Sequence, residues 1–282
     1  MVGVLGVSAS AILVRFSQAP SGVTAAYRLG WTVLLLLPVV LLRCRAELRR
    51  VTARDLVLCG ASGVLLALHF LTWFESLKRT SVASSTVLVS TEVIFTALGF
   101  ALFLHGKIPR LGVWAILLAF GGSALLALSG GGGAGELSCN LLALAAASAA
   151  AVYTLIGRIQ RGHLSTTVYT FLTYLACFLT LLLGTAAAGT PLTGYGGREW
   201  LIGLALAVLC TLLGHSLFSW CLKYLSPSYV SAAKLCEPVF SSLAAIPLFG
   251  EVPGPLQLAG GAAVLGAVLL YTWAEREKTP AG

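Results

Sequence analysis

The chain has 282 residues, of which 58% are hydrophobic and only 10% charged. Soluble domains carry roughly 25% charge, so this composition cannot cover a water-exposed surface, and it excludes soluble, disordered and nucleic-acid-binding classes. The formal net charge of +8 would mark a polyanion partner only if the basic residues shared one solvated face.

A membrane helix needs about 20 apolar residues to cross a hydrocarbon core about 30 Å thick. Apolar runs bounded by charges, Pro or Gly predict ten such helices, at 1–17, 22–43, 54–77, 81–104, 109–129, 138–157, 166–187, 199–222, 226–249 and 253–273. The fold class is an all-α integral membrane protein with little outside the bilayer. Because the first helix stops before Pro20, either Arg15 snorkels to the interface or the helix starts upstream of Met1. No basic segment precedes its apolar run, so a cleaved leader is not expected. Most of the seven cysteines fall inside apolar runs, where thiols behave as small hydrophobes. Neither a disulfide framework, a metal site nor a cofactor is expected.

Orientation follows the Lys/Arg distribution in short loops. With the N-terminus inside, Arg43, Arg45, Arg49, Arg50, Arg54, Lys107, Arg110, Arg158, Arg161, Lys223, Arg276 and Lys278 are cytoplasmic. Only Arg15, Lys78, Arg79 and Arg198 are then external. Both termini are therefore placed in the cytoplasm. The basic stretch 43–55 reads as a topology loop, not a nucleic-acid site. The glycines at 130–133 lack the Lys-Ser/Thr of a phosphate loop and read as an external linker.

Shifting the chain by 145 positions lays Leu77, Lys78, Ser81, Glu92, Phe95 and Gly121 on Leu222, Lys223, Ser226, Glu237, Phe240 and Gly266. Two five-span halves, 1–129 and 138–282, joined by 130–137, must be inverted relative to each other because five is odd. Inverted repeats are common in secondary transporters, whose sites lie where the repeats meet.

Ionisable groups inside spans are rare and costly, which singles out a few residues. Glu92 and Glu237 stand near mid-span in their respective halves. Lys234, one turn before Glu237, shares its helix face and is read either as a self-neutralising partner of Glu237 or as part of a site for a zwitterionic or anionic solute. Pro238 loosens the ladder around Lys234; Val93 stands at the equivalent place in the first half, so only the second half is expected to break. His69 and His215, one position out of register, are proton-relay or packing histidines. Trp73 shares a face with His69, and Trp220 follows His215 by five. Arg28, beside Tyr27, either bonds external helix ends or meets an anionic group. Ala262 and Gly266 form a small-xxx-small pair suited to close packing.

The segments AILVRFSQAPSGVTAAYRLGW, LHFLTWFESLKRTSVASSTVLVS, LLGHSLFSWCLKYLSPSYVSAAKLCEPVF and FGEVPGPLQLAGGAAVLGAVLLY resemble EamA-type permeases of the drug/metabolite transporter superfamily. The resemblance implies ten helices in two inverted five-helix repeats around a central cavity, and alternating access. It implies a small metabolite, amino acid or toxic organic compound as substrate, with a proton or counter-solute as its driver. Arg28, His69, Trp73, His215 and Glu237 match family motif positions, and Glu251 matches the acid of the GE element closing the ninth span. The first half reads LHGK at 104–107 instead of that element, and Lys234 replaces a usually apolar residue. The reading is a non-enzymatic secondary transporter of the cytoplasmic membrane, monomer or homodimer. A passive channel is its rival, and a membrane-embedded enzyme a more remote one.

Overall fold

In the computed structural model the described residues are all except 1, 104–108, 130–133, 228–229, 232–233, 235 and 277–282. The 130–133 part of the linker, the LHGK stretch at 104–107 and Lys278 lie outside them. All regular structure among the described residues is helical. The helices are α1 (Val2–Phe16), α2 (Ser21–Arg43), α3 (Arg45–Leu48), α4 (Ala53–Arg79), α5 (Val82–Val89), α6 (Glu92–Phe103) and α7 (Arg110–Ser129). They continue with α8 (Ala134–Gln160), α9 (Thr166–Ala187), α10 (Gly197–Ala205), a π-helical segment Leu206–His215, α11 (Ser216–Cys221), α12 (Cys236–Phe249) and α13 (Pro255–Arg276). Among the described residues, six helical stretches are long and apolar enough to cross a membrane: Ser21–Arg43, Ala53–Arg79, Val82–Phe103, Leu137–Gln160, Thr166–Ala187 and Gly197–Cys221. Leu5–Phe16, Arg110–Gly122, Glu237–Phe249 and Pro255–Tyr271 are shorter apolar helices.

Helix starts follow capping chemistry. Thr52 and Asp55 form a reciprocal box at the head of α4, and Ser81 and Ser165 oxygens accept from Ser84 N and Val168 N at the heads of α5 and α9. Each cap gives an otherwise orphan N–H a partner. The basic stretch after α2 contains the single turn α3, whose Glu47 accepts from Ser165 N at 2.6 Å and so pins that loop to the head of α9.

The largest core joins α1, α2, α4, α8 and α9 around Leu29, Phe70, Phe74 and Tyr174. A second core unites α6, α7 and α13 through Val93, Ile94, Ala115, Ala119, Ala267 and Val268. Small residues let the last pair approach closely: a Cβ on Gly122 would stand 2.8 Å from the Gly260 carbonyl and 2.9 Å from Ala263 Cβ. The close crossing therefore uses Gly260 and Ala263, not the Ala262–Gly266 pair, since a Cβ on Gly266 would meet nothing within 4 Å.

Two features depart from straight helices. The span 81–104 is broken at Ser90–Thr91, in the half that lacks a proline. Hydroxyls interrupt it instead: Thr86 Oγ1, Ser90 Oγ and Thr91 Oγ1 donate to the carbonyls of Val82, Thr86 and Leu88 at 2.7, 2.8 and 2.7 Å. Backbone bonds there tighten to three residues, with Thr91 N to Leu88 O at 3.1 Å and Ile94 N to Thr91 O at 2.9 Å. Side-chain back-bonding of this kind competes with the helix ladder and bends it. In the other half Glu237 N donates to Lys234 O at 2.8 Å, and α12 begins beside Pro238, which has no N–H to continue the ladder backward. Both halves thus restart a helix at a glutamate. The π segment Leu206–His215 winds wider than an α-helix and accommodates one extra residue.

Gly122→Ala should overpack the α7–α13 crossing and lower stability by about 1–3 kcal/mol. Gly121→Ala, where a Cβ would meet nothing within 4 Å, should raise it or leave it unchanged. Thermal unfolding of the two purified variants in detergent checks the contrast.

Candidate functional site

Between the two glutamate-headed breaks lies a cavity of about 30 Å³, lined by His69, Trp73, Glu92, Tyr153, His215, Lys234 and Glu237 among others. At about 10–15 Å³ per water, it holds two or three waters and no metabolite, so the conformation is closed around its polar centre.

The break places the Lys234 ammonium on Glu92 and not on Glu237. Nζ lies 2.9 and 3.0 Å from the two Glu92 oxygens. The expectation of a one-turn pair with Glu237 assumes a continuous helix, and the chain turns between the two residues. Glu92 Oε1 also accepts from Thr154 Oγ1 of α8 at 3.0 Å and Ser231 Oγ at 3.1 Å. Glu237 is 9% exposed, and its Oε1 has no hydrogen-bond partner among the described residues.

Arg28 is fully buried. Its Nε donates to Thr211 Oγ1 at 2.7 Å and its Nη1 to Ser10 Oγ at 3.1 Å, while the guanidinium carbon stands 4.2 Å from the Phe70 ring centroid. Its bonds therefore go to side chains in the middle of α1 and the π segment, and not to external helix ends. Nη2 has no partner among the described residues. A buried cation without a carboxylate costs several kcal/mol. Arg28 reaches the cavity wall through Ser10, which lines it.

The histidines share one layer. Their ring centroids are 6.4 Å apart, Trp73 stacks on His69 at 5.6 Å, and His69 Nδ1 meets the Ala146 carbonyl at 3.0 Å. Tyr153 bonds Ser219 at 3.2 Å. The Trp73 indole N–H has no partner among the described residues. The centre thus offers unsatisfied donors at Arg28 and Trp73 and an unsatisfied acceptor at Glu237, while the Glu92–Lys234 charges cancel each other.

A model of the EamA-like transporter family matches residues 1–128 and 137–273. The chain belongs to the EamA-like transporter family. It is similar to the pseudopaline exporter CntI of Pseudomonas aeruginosa, at 24% identity over 73% of this chain and 72% of that one. It also resembles a probable terminal-alkyne amino-acid exporter of Streptantibioticus cattleyicolor, at 28% identity over 79% of this chain and 75% of the relative. A solved crystal structure shares the fold with a TM-score of 0.69 at 18% identity, covering 96% of this chain and 94% of that one. This EamA-like protein is a multi-pass membrane transporter of small metabolites.

Two residues expected at the EamA-like cavity lie elsewhere. Trp220 is half exposed and packs on Tyr224 at 5.0 Å, because five residues after His215 its side chain has rotated off the cavity face. Tyr27 stacks on Trp200 at 4.1 Å and donates to the Leu192 carbonyl, facing away from its neighbour Arg28.

Polar groups also tie the ends of the bundle, which the apolar patterning leaves unseen. Arg15 pairs with Glu251 at 2.8 Å and donates to Leu77 O at 2.5 Å, so its charge is met within the protein. Glu251 Oε2 accepts from Val82 N at 2.7 Å, which places the acid of the ninth-span GE element at the head of α5. Glu199 accepts from Ser17 Oγ at 2.6 Å and Gln18 N at 3.0 Å. Beyond the other side of the core, Asp55 accepts from Gln160 at 3.1 Å and meets His163 at 2.7 Å. Thr52-x-x-Asp55, a capping-box spacing, is the one sequence signal that marks this second cluster.

Arg15→Met and Glu251→Gln should each destabilise the protein, and the double variant should cost less than their sum, with a coupling of about 1 kcal/mol. Unfolding midpoints of the four proteins close the cycle.

Proposed function

We propose that the protein is a secondary active transporter that exports a small metabolite across the cytoplasmic membrane by alternating access. The relatives named as exporters support the direction. Ten spans form two inverted five-helix repeats, 1–129 and 138–282, joined through 130–137, with both termini in the cytoplasm. The cavity between the glutamate-headed breaks is then the midplane site, in keeping with transporters that build sites at discontinuous helices.

The observation that carries this reading is the unsatisfied Glu237 carboxylate buried near Arg28, a combination costly in a static membrane bundle and useful where a solute or proton completes it. Glu237 exchanges a proton or takes the cationic end of a solute. Arg28, acting at the wall beside Ser10, takes an anionic end, and His69, His215, Trp73 and Tyr153 shape the chamber. Such a charge pattern suits a solute bearing an amine and a carboxylate. Lipid, the solute and a proton or counter-solute are the partners of a monomer or homodimer.

The test is reconstitution into liposomes with a trapped pH indicator, adding pooled amino acids and metabolites. A pool-dependent proton flux should appear in the native protein and vanish in Glu237→Gln. Full gradient-driven transport in that variant would sink the proton role. Downhill flux with neither accumulation nor counterflow would support a passive channel instead.

A further inference from the structure

Two glutamates in the first turns of their helices face the same chamber, yet their surroundings differ in kind. Glu92 receives donors from every side. Lys234 Nζ reaches both of its oxygens at 2.9 and 3.0 Å, and the Thr154 and Ser231 hydroxyls both meet Oε1 at 3.0 and 3.1 Å. An ammonium can only donate, so both oxygens it holds act as acceptors, and a proton on Glu92 would set a neutral acid against a charged ammonium and forfeit the ion pair. Glu237 Oε1 meets no donor at all among the described residues.

The donors also have a particular origin. Glu92 belongs to the first half of the chain, whereas Thr154, Ser231 and Lys234 all belong to the second. Glu92 heads α6 after the hydroxyl break, and Lys234 stands in the turn that leads into α12. The Phe218 ring, 5.5 Å from Nζ, supports the ammonium on another side. The bridge therefore fastens one helix break to the other, directly beside the chamber.

We propose that Lys234 ties Glu92 into a fixed bridge between the two helix breaks, leaving Glu237 as the single exchangeable carboxylate of the chamber. Lys234 and Glu92 are positioning residues, and one proton or one cationic group is exchanged per cycle, not two. The charged and titratable groups facing Glu237 from the packed elements are Lys234 on its own segment, Glu92 of α6, Arg28 of α2, His69 of α4, Tyr153 of α8, and Cys210 and His215 of the π segment. His69 is committed to the Ala146 carbonyl through Nδ1. The Lys234 charge is committed to Glu92, so neither neutralises Glu237 by direct contact.

This inference concerns which carboxyl can hold a proton, and its test does not need the solute. The O–H of a protonated carboxyl in apolar surroundings adds across one C=N bond of dicyclohexylcarbodiimide, and the O-acylisourea so formed rearranges by O-to-N acyl transfer to a stable N-acylurea, readable by peptide mass spectrometry. In the full-length protein in liposomes, Glu237 should label at least about tenfold faster than Glu92, the ratio that one unit of protonation difference produces. Lys234→Met should raise Glu92 labelling at least about tenfold while Glu237 still labels. The charge-swapped pair Glu92→Lys with Lys234→Glu should protect the relocated carboxylate as wild-type Glu92 is protected, and it serves where Lys234→Met fails to fold. Equal labelling of both glutamates in the native protein, or Glu92 remaining as slow in Lys234→Met as before, would overturn the proposal. Loss of proton-driven flux with this labelling pattern intact would count against the transport reading alone.

Discussion

A charge inside the bilayer must be met by the protein itself, because no water stands ready to solvate it. That constraint orders this structure. Four ionised or ionisable side chains, Arg28, Glu92, Lys234 and Glu237, converge on one chamber, and the helices that carry them are broken, widened or packed closely so that they meet. Glu92 and Lys234 satisfy each other. Arg28 is held by hydroxyls and a ring face. Glu237 is the residue whose need is left open, and the chemistry proposed for the transporter follows from that imbalance.

The surrounding architecture serves the same centre. Glycines at the α7–α13 crossing let backbones approach where lipid supplies no hydrophobic drive between helices. At one end Arg15, Glu251 and Glu199 tie helix termini together, and beyond the other side of the core Asp55, Gln160, His163 and Glu47 do the same. At about 30 Å³ the chamber is too small for a metabolite, and in the alternating access proposed above it is these polar ties that loosen to admit one.

Much of this was legible in the sequence, for definite reasons. Apolar runs mark membrane helices because length and composition are what the bilayer selects. Mid-span glutamates mark the chamber because carboxylates are costly there. The partner of Lys234 was not legible, since helix-face spacing holds only while the helix continues. The first break was missed for a related reason: Ser90 and Thr91 do through hydroxyls what proline does in the other half, and hydroxyls inside apolar runs are common. Trp220 misled because five α-helical positions carry its side chain about 140° round the helix from His215.

The two breaks, matched in place, differ in reversibility. The first is held by the hydroxyl rotors of Thr86, Ser90 and Thr91, which can swing away from the backbone carbonyls and leave them free to accept from amides. The second adjoins a ring that has no amide hydrogen to return. One half of the molecule thus contains a joint that can straighten, and the other a joint that stays bent. The two matching glutamates therefore stand on mechanically unlike joints, and only the one that carries Glu92 can extend its helix backward through Ser90 and Thr91.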